Sequence, residues 1–136
     1  MKQNTLSKSE RLKSKKDIEE IFLENKSFVS SDKKILLLYK VINREEAKPE
    51  LKFAVTVPKK AGCAVWRNRI KRLVREAYRN RKPELLQYFY STGKNLSFIF
   101  VSFHLSEKRN KNISLDQILP SVVELLNKVR EKVTIQ

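Results

Sequence analysis

Apolar residues recur along this chain in two rhythms, and the switches between them mark out its elements. Ile18, Ile21 and Phe22 stand at i, i+3 and i+4 after Ser14, which is placed to cap a helix from about Lys15. Asp17, Glu19, Glu20 and Glu24 point elsewhere on that helix, as a solvated face does, and Asn25 suits a left-handed cap at its end. Residues 27–30 fit a short strand and residues 31–34 a turn. Residues 35–42 form a strongly apolar strand, 43–50 a polar loop, and 51–57 a returning strand. Residues 96–103, Leu-Ser-Phe-Ile-Phe-Val-Ser-Phe, are the clearest strand in the chain.

Between these strands the period changes to that of a helix. At about 100° per residue, Trp66, Ile70, Leu73, Val74 and Ala77 fall on one side. Asn68, Lys71, Arg72, Arg75 and Arg79 gather on the other, with Arg67 and Arg69 at the two edges. Pro83, following Asn80-Arg81-Lys82, is the stop signal for this helix. Residues 84–90, with Leu85, Leu86, Tyr88 and Phe89, are compatible with a short helix of their own. Gly93-Lys94-Asn95 then turns the chain into the clear strand.

The last helix opens on a capping box, Ser114-Leu-Asp-Gln117, with Ile113 and Ile118 placed as a hydrophobic staple. Pro120 stands inside its second turn, so either the first turn is irregular or the regular helix begins near Leu119. Val122, Val123, Leu125, Leu126 and Val129 give it an apolar stripe. The order α-β-β-β-α-β-α predicts an α+β sandwich with helices packed on a central sheet. Residues 1–14 are polar, basic and aperiodic, and read as a flexible arm ahead of one domain over residues 15–133.

Composition supports a folded domain: 136 residues with 40% apolar content suffice to bury a core without crosslinks. Charge changes the picture more. The formal net charge is +15, and residues 67–82 hold eight Lys/Arg against one acid. Residues 1–16 hold six against one, leaving only sixteen against thirteen elsewhere. Charge concentrated in this way points to a polyanion-binding surface, most economically nucleic acid. The start of the basic helix sharpens this. A helix N-terminus favours acidic neighbours, yet Arg67 and Arg69 occupy its first turns just after Lys59 and Lys60. A phosphate at the helix start would reverse that penalty, whereas a merely solvated basic face would not.

Other chemistry is sparse. Cys63 is the only cysteine, so there is no disulfide framework or cysteine-based zinc site, and it reads as a small packing residue. His104 is the only histidine and has no second histidine to complete an acid–base pair. Gly62 and Gly93 are the only glycines, which leaves no P-loop or dinucleotide fingerprint. The basic N-terminus lacks the apolar region of a secretory signal, and no run of residues approaches a membrane span, so a soluble cytoplasmic protein is expected. No helix-turn-helix, zinc or zipper signature suggests duplex DNA. Phe22, Phe28 and Tyr39 beside a sheet would suit stacking of unpaired bases, although aromatics at such spacings are more often core.

The run Arg67-Asn-Arg-Ile-Lys-Arg-Leu-Val-Arg-Glu76, after the loop Lys59-Lys60-Ala61-Gly62-Cys63-Ala64-Val65, resembles the protein subunit of bacterial ribonuclease P. The resemblance covers residues 6–130 and extends upstream to Arg11-Leu12 and the helix ending at Phe22. It implies a left-handed β-α-β crossover around the basic helix, shared with a ribosomal-protein domain. It also implies an accessory subunit of an endoribonuclease that removes the 5′ leader from precursor tRNA. One protein would pair with one catalytic RNA, and that RNA would use Mg2+ for the hydrolysis, with no catalytic group or metal site on the protein. Carried over by position, Arg11, Lys59, Lys60, Arg67, Asn68, Arg69, Lys71, Arg72, Arg75 and Arg79 would contact RNA. Ile18, Phe22 and Tyr39 would line a leader cleft between the first helix and the sheet. A basic ribosomal or ribosome-assembly protein is the alternative, and a protein-only nuclease a third class.

Overall fold

A strand that is apolar at successive positions must be covered on both faces, and the strand at residues 94–102 is. In the computed structural model, which describes residues 15–24, 26–43, 51–92 and 94–135, Leu96, Phe98, Ile99 and Phe100 are all buried. The expected arm over residues 1–14 with Arg11 and the Ser14 cap, the Asn25 cap, most of the 43–50 loop, and Gly93 lie outside the described residues.

The elements run α1 (Lys15–Glu24), β1 (Ser27–Val29), β2 (Ile35–Asn43), β3 (Leu51–Thr56), a 3-10 turn (Lys59–Ala61), α2 (Ala64–Thr92), β4 (Lys94–Ser102), α3 (Glu107–Asn110) and α4 (Leu115–Ile135). The four strands form one sheet in the order β1-β2-β4-β3. β1 pairs with β2 and β2 with β4 antiparallel, while β3 lies parallel to β4 and is joined to it by α2. The expected α+β architecture is present, with one short helix, α3, that the sequence pattern did not announce.

Alternation along the strands divides the apolar residues between two cores. On one face Ile35, Leu37, Tyr39, Phe53, Phe98 and Phe100 pack under α2 and α4. On the other, Leu38 and Ile99 pack against Ile21 of α1, with Ile18, Ala54 and Val101 alongside. The larger core is built on an aromatic cluster: Tyr78 of α2 stacks on Phe53 with ring centroids 4.4 Å apart and sits edge-on to Phe98 and Phe100.

Both prolines expected to disturb helices lie inside them. α2 continues through Pro83 to Thr92, and no separate short helix follows. The proline removes one backbone bond, a cost of about 3 kcal/mol. Its ring is exposed, however, while Tyr78 before it and Leu85 after it are buried in the same core. Burial worth about 1.5–3 kcal/mol per large side chain on each side outweighs the lost bond. Pro120 is likewise exposed within α4, between Ile118 and Val122, both fully buried. The α4 start follows the capping box: the Ser114 N–H donates to Gln117 Oε1 at 3.0 Å, and Ile113 and Ile118 are both in the core.

Candidate nucleic-acid interface

The two sides of α2 separate as their spacing requires. Trp66, Ile70, Leu73, Val74 and Ala77 are all buried, which fixes the rotation of the helix on the sheet. That rotation leaves Asn68, Arg72 and Arg75 exposed and Lys71 and Arg79 half-buried. Lys59 and Lys60 are exposed on the 3-10 turn immediately before it. Arg79 also carries a buried Nε with no hydrogen-bond partner among the described residues.

The two arginines at the edges of α2 are engaged within the fold. Arg67 Nε donates to the Gly62 carbonyl at 3.1 Å, closing the loop onto the first turn. Arg69 Nη2 donates to the Ile113 carbonyl at 2.7 Å, so its guanidinium tethers α2 to the start of α4. Trp66 Nε1 makes a parallel tie to the Asn110 carbonyl at 3.1 Å. Segment 105–114 therefore braces the front half of the basic helix.

The start of α2 is not left open for phosphate alone. Glu107 of α3 supplies the acid missing from the local sequence, its Oε1 accepting from the Cys63 N–H at 2.8 Å. Its Oε2 lies 3.5 Å from the Cys63 sulfur, and Cys63 is exposed rather than the packing residue its size suggested. Gly62 is required by closeness here. A Cβ at that position would lie 2.7 Å from Trp66 Cε3 and 2.8 Å from Glu107 Cβ. No local sequence signal pointed to Glu107.

Around α1, Ile18 is half-buried against Ile21, Leu38 and Ile99, while Phe22 is 50% exposed. Lys40, from β2, projects on this side and forms a 2.7 Å ion pair with Glu20 of α1. The Lys40 hydrogen bond and charge hold the Glu20 carboxyl below its ordinary range. Among the described residues no helix is long and apolar enough to cross a membrane.

Residues 6–130 match the family described as Ribonuclease P. The chain belongs to the ribonuclease P protein family. It is 31% identical to the ribonuclease P protein component of Petrotoga mobilis, over 95% of this chain and 98% of that protein. It is 34% identical to that of Porphyromonas gingivalis ATCC 33277, over 84% of this chain and 83% of the relative. Against the Lactococcus lactis MG1363 component it is 38% identical over 60% of this chain, spanning 64% of that relative's length. Its fold is similar to the RNase P proteins of Staphylococcus aureus and Thermotoga maritima. The TM-scores are 0.64 and 0.65, at 24% and 22% identity, over 90% and 88% of this chain and 96% of each of theirs.

Against the ribonuclease P family pattern, one carried-over position falls in the wrong place. Tyr39 is 3% exposed and stacked on Phe28 at 5.7 Å, in the core under α2 and α4. It pairs with Phe98, and α1 packs on the opposite face of the sheet. Tyr39 therefore cannot line a cleft between α1 and the sheet. The β2 side chains on that face are those one residue out of phase, Leu38 and Lys40. Ile18 and Phe22 do lie together on α1, and Lys59, Lys60, Asn68, Arg72 and Arg75 are brought together around the start and outer face of α2.

Proposed function

We propose that this chain is the protein subunit of a ribonucleoprotein endonuclease that removes the 5′ leader from precursor tRNA in the cytoplasm. In this reading one protein docks on one catalytic RNA through α2 and the Lys59–Lys60 turn. The leader runs along the α1 side of the sheet beside Phe22. The observation that carries it is the rotation of α2, which turns Asn68, Arg72 and Arg75 to solvent while its apolar stripe is wholly buried. A second basic turn at the same helix end extends that surface. Such a surface meets backbone phosphates and fixes orientation without reading sequence.

Four of the acids among the described residues are held by partners within the fold, which fits hydrolysis lying with the RNA. Asp32 is bonded to Ser30 and Ser121, Glu124 to Ser31 and Lys128, Glu20 to Lys40, and Glu107 to Cys63. Magnesium is assigned to the RNA, where it would supply the activated water for phosphodiester cleavage. Family membership disfavours a ribosome-assembly role.

Reconstitution tests the proposal. The chain, added to a bacterial ribonuclease P RNA at low magnesium, is expected to stimulate cleavage of a precursor tRNA at the mature 5′ end. No stimulation, or cleavage by the protein without RNA, would overturn it.

A further inference from the structure

Phe103 and His104 end β4 in an arrangement that the basic helix does not explain. Phe103 is 46% exposed, and its ring lies 4.3 Å from that of His104, tilted by 54°. Neither ring belongs to the two cores. Their backbone is nonetheless pinned. The Phe103 N–H donates to the Lys34 carbonyl at 2.8 Å, and the His104 N–H to the Lys33 carbonyl at 3.1 Å. Arg109 Nη2 holds the His104 carbonyl at 3.2 Å.

The surroundings are cationic. Arg109 brings its guanidinium to the His104 carbonyl, while Lys33 and Lys34 hold the pair through their backbone carbonyls and the Lys34 ammonium is paired with Asp32 at 3.6 Å. Because β3 and β4 are parallel, the chain leaves both strands at the same end of the sheet. The turn bearing Lys59 and Lys60 follows β3 there, and Glu107, four residues after Phe103, reaches Cys63 of that loop. An exposed aromatic alone is ordinary. An exposed aromatic pair on a backbone pinned at three points, with a guanidinium against it, is a combination that holds unpaired nucleic acid, with charge for a phosphate and a ring face for the base.

We propose that Phe103 and His104 form a stacking site for an unpaired base of bound RNA, at the end of the sheet from which the Lys59–Lys60 turn emerges. The site rests on the reading of the chain as an RNA-binding subunit and adds to it a position where bases, rather than phosphates, are held. The backbone that carries the two rings is already held, so little backbone freedom is lost on binding.

The test uses the full chain and a short single-stranded oligoadenylate, followed by anisotropy of labelled RNA and by tryptophan emission. Phe103→Ala is expected to weaken binding about five- to tenfold, the range of one lost base–aromatic stack, with the salt dependence unchanged. Phe103→Trp is expected to bind as the wild type does and to gain emission that the RNA quenches. Trp66, being 4% exposed, contributes a constant background. A duplex of the same length should bind both variants equally. Unchanged affinity in Phe103→Ala would overturn the proposal, as would unquenched emission from bound Phe103→Trp. Self-association that Phe103→Ala abolishes while RNA binding persists would overturn it in favour of a protein contact. No catalytic RNA is used, so failed reconstitution would sink the functional reading without touching this one.

Discussion

Glu107 reaches Cys63 across 44 residues, with its Oε1 2.8 Å from the Cys63 amide nitrogen at the entry to α2. The helix start carries Arg67 and Arg69 and no local acid, an arrangement its dipole opposes. The fold corrects this at long range, and the same carboxylate closes over Gly62, where a Cβ would be within 3.0 Å of its Oε1. Positioning and charge are separable here. Glu107→Gln keeps an acceptor for the Cys63 N–H and loses the charge, whereas Glu107→Ala loses both. Denaturant unfolding is expected to show a loss of about 1–2 kcal/mol for the alanine variant and less than half of that for glutamine. Catalytic-RNA affinity should fall for alanine, which loses the bond that holds the start of α2, and not for glutamine, which keeps that bond. Equal behaviour of the two variants would mean that Glu107 acts only through its charge.

The arginines of α2 divide by what they already hold. Arg72 and Arg75 are exposed, whereas Arg69 spends a hydrogen bond on the Ile113 carbonyl. Replacing Lys71, Arg72 and Arg75 together by alanine should flatten the slope of log affinity against log salt by about two units, the value for three contacts to unpaired RNA. Folding stability should stay within about 0.5 kcal/mol per site. Arg69→Ala should do the reverse, lowering stability by about 1–2 kcal/mol with a change in slope of less than one unit. Equal salt slopes for the triple variant and the wild type would show that this face is only solvated.

A pair of carboxylates fastens the β1–β2 turn to α4, and this makes stability depend on pH. Burial opposes ionisation of Asp32, but hydrogen bonds from Ser121 and Ser30, each 2.6 Å, hold its carboxyl below the ordinary 3.8. Glu124, bonded first by Lys128 and also by Ser31, is held below 4.5. A lowered folded-state pKa means that the unfolded chain binds protons more readily. The stabilisation is therefore complete above the ordinary carboxylate values and is lost as pH falls through the lowered ones. Asp32→Ala should cost about 1–2 kcal/mol at pH 7, discounted for partial exposure. Its deficit in thermal unfolding should shrink steadily below pH 4. A deficit independent of pH would assign the effect to packing.

The parts of the fold legible in the sequence were those whose signal is local. The period of Trp66, Ile70, Leu73, Val74 and Ala77 was enough to orient α2, and the Ser114–Gln117 box marked the start of α4. Pro83 misled because a propensity rule met a stronger packing requirement from Tyr78 and Leu85. Tyr39 misled for a different reason. Residues 35–39 are apolar throughout because helices cover both faces of the sheet, so no polar alternation marked which side each faced. Glu107 left no trace at all, since its partner is 44 residues away.

The opposed placements of Tyr39 and Phe22 give the last prediction. Tyr39 is stacked on Phe28 with the rings 2° from parallel, and burial pushes its phenol above the ordinary value. Truncating it to alanine should cost about 3 kcal/mol or more, as for other large core aromatics. Tyr39→Phe keeps the ring, and should leave leader-dependent binding of precursor tRNA unchanged. Phe22 is half exposed on α1, so Phe22→Ala should cost under about 1 kcal/mol in folding. It should nonetheless reduce the preference for leader-bearing over mature tRNA by about fivefold, one lost stacking contact. Comparing affinities for the two tRNAs in the reconstituted complex measures this directly. A leader preference lost in Tyr39→Phe and kept in Phe22→Ala would move the leader to the α2 side of the sheet, against the placement of α1.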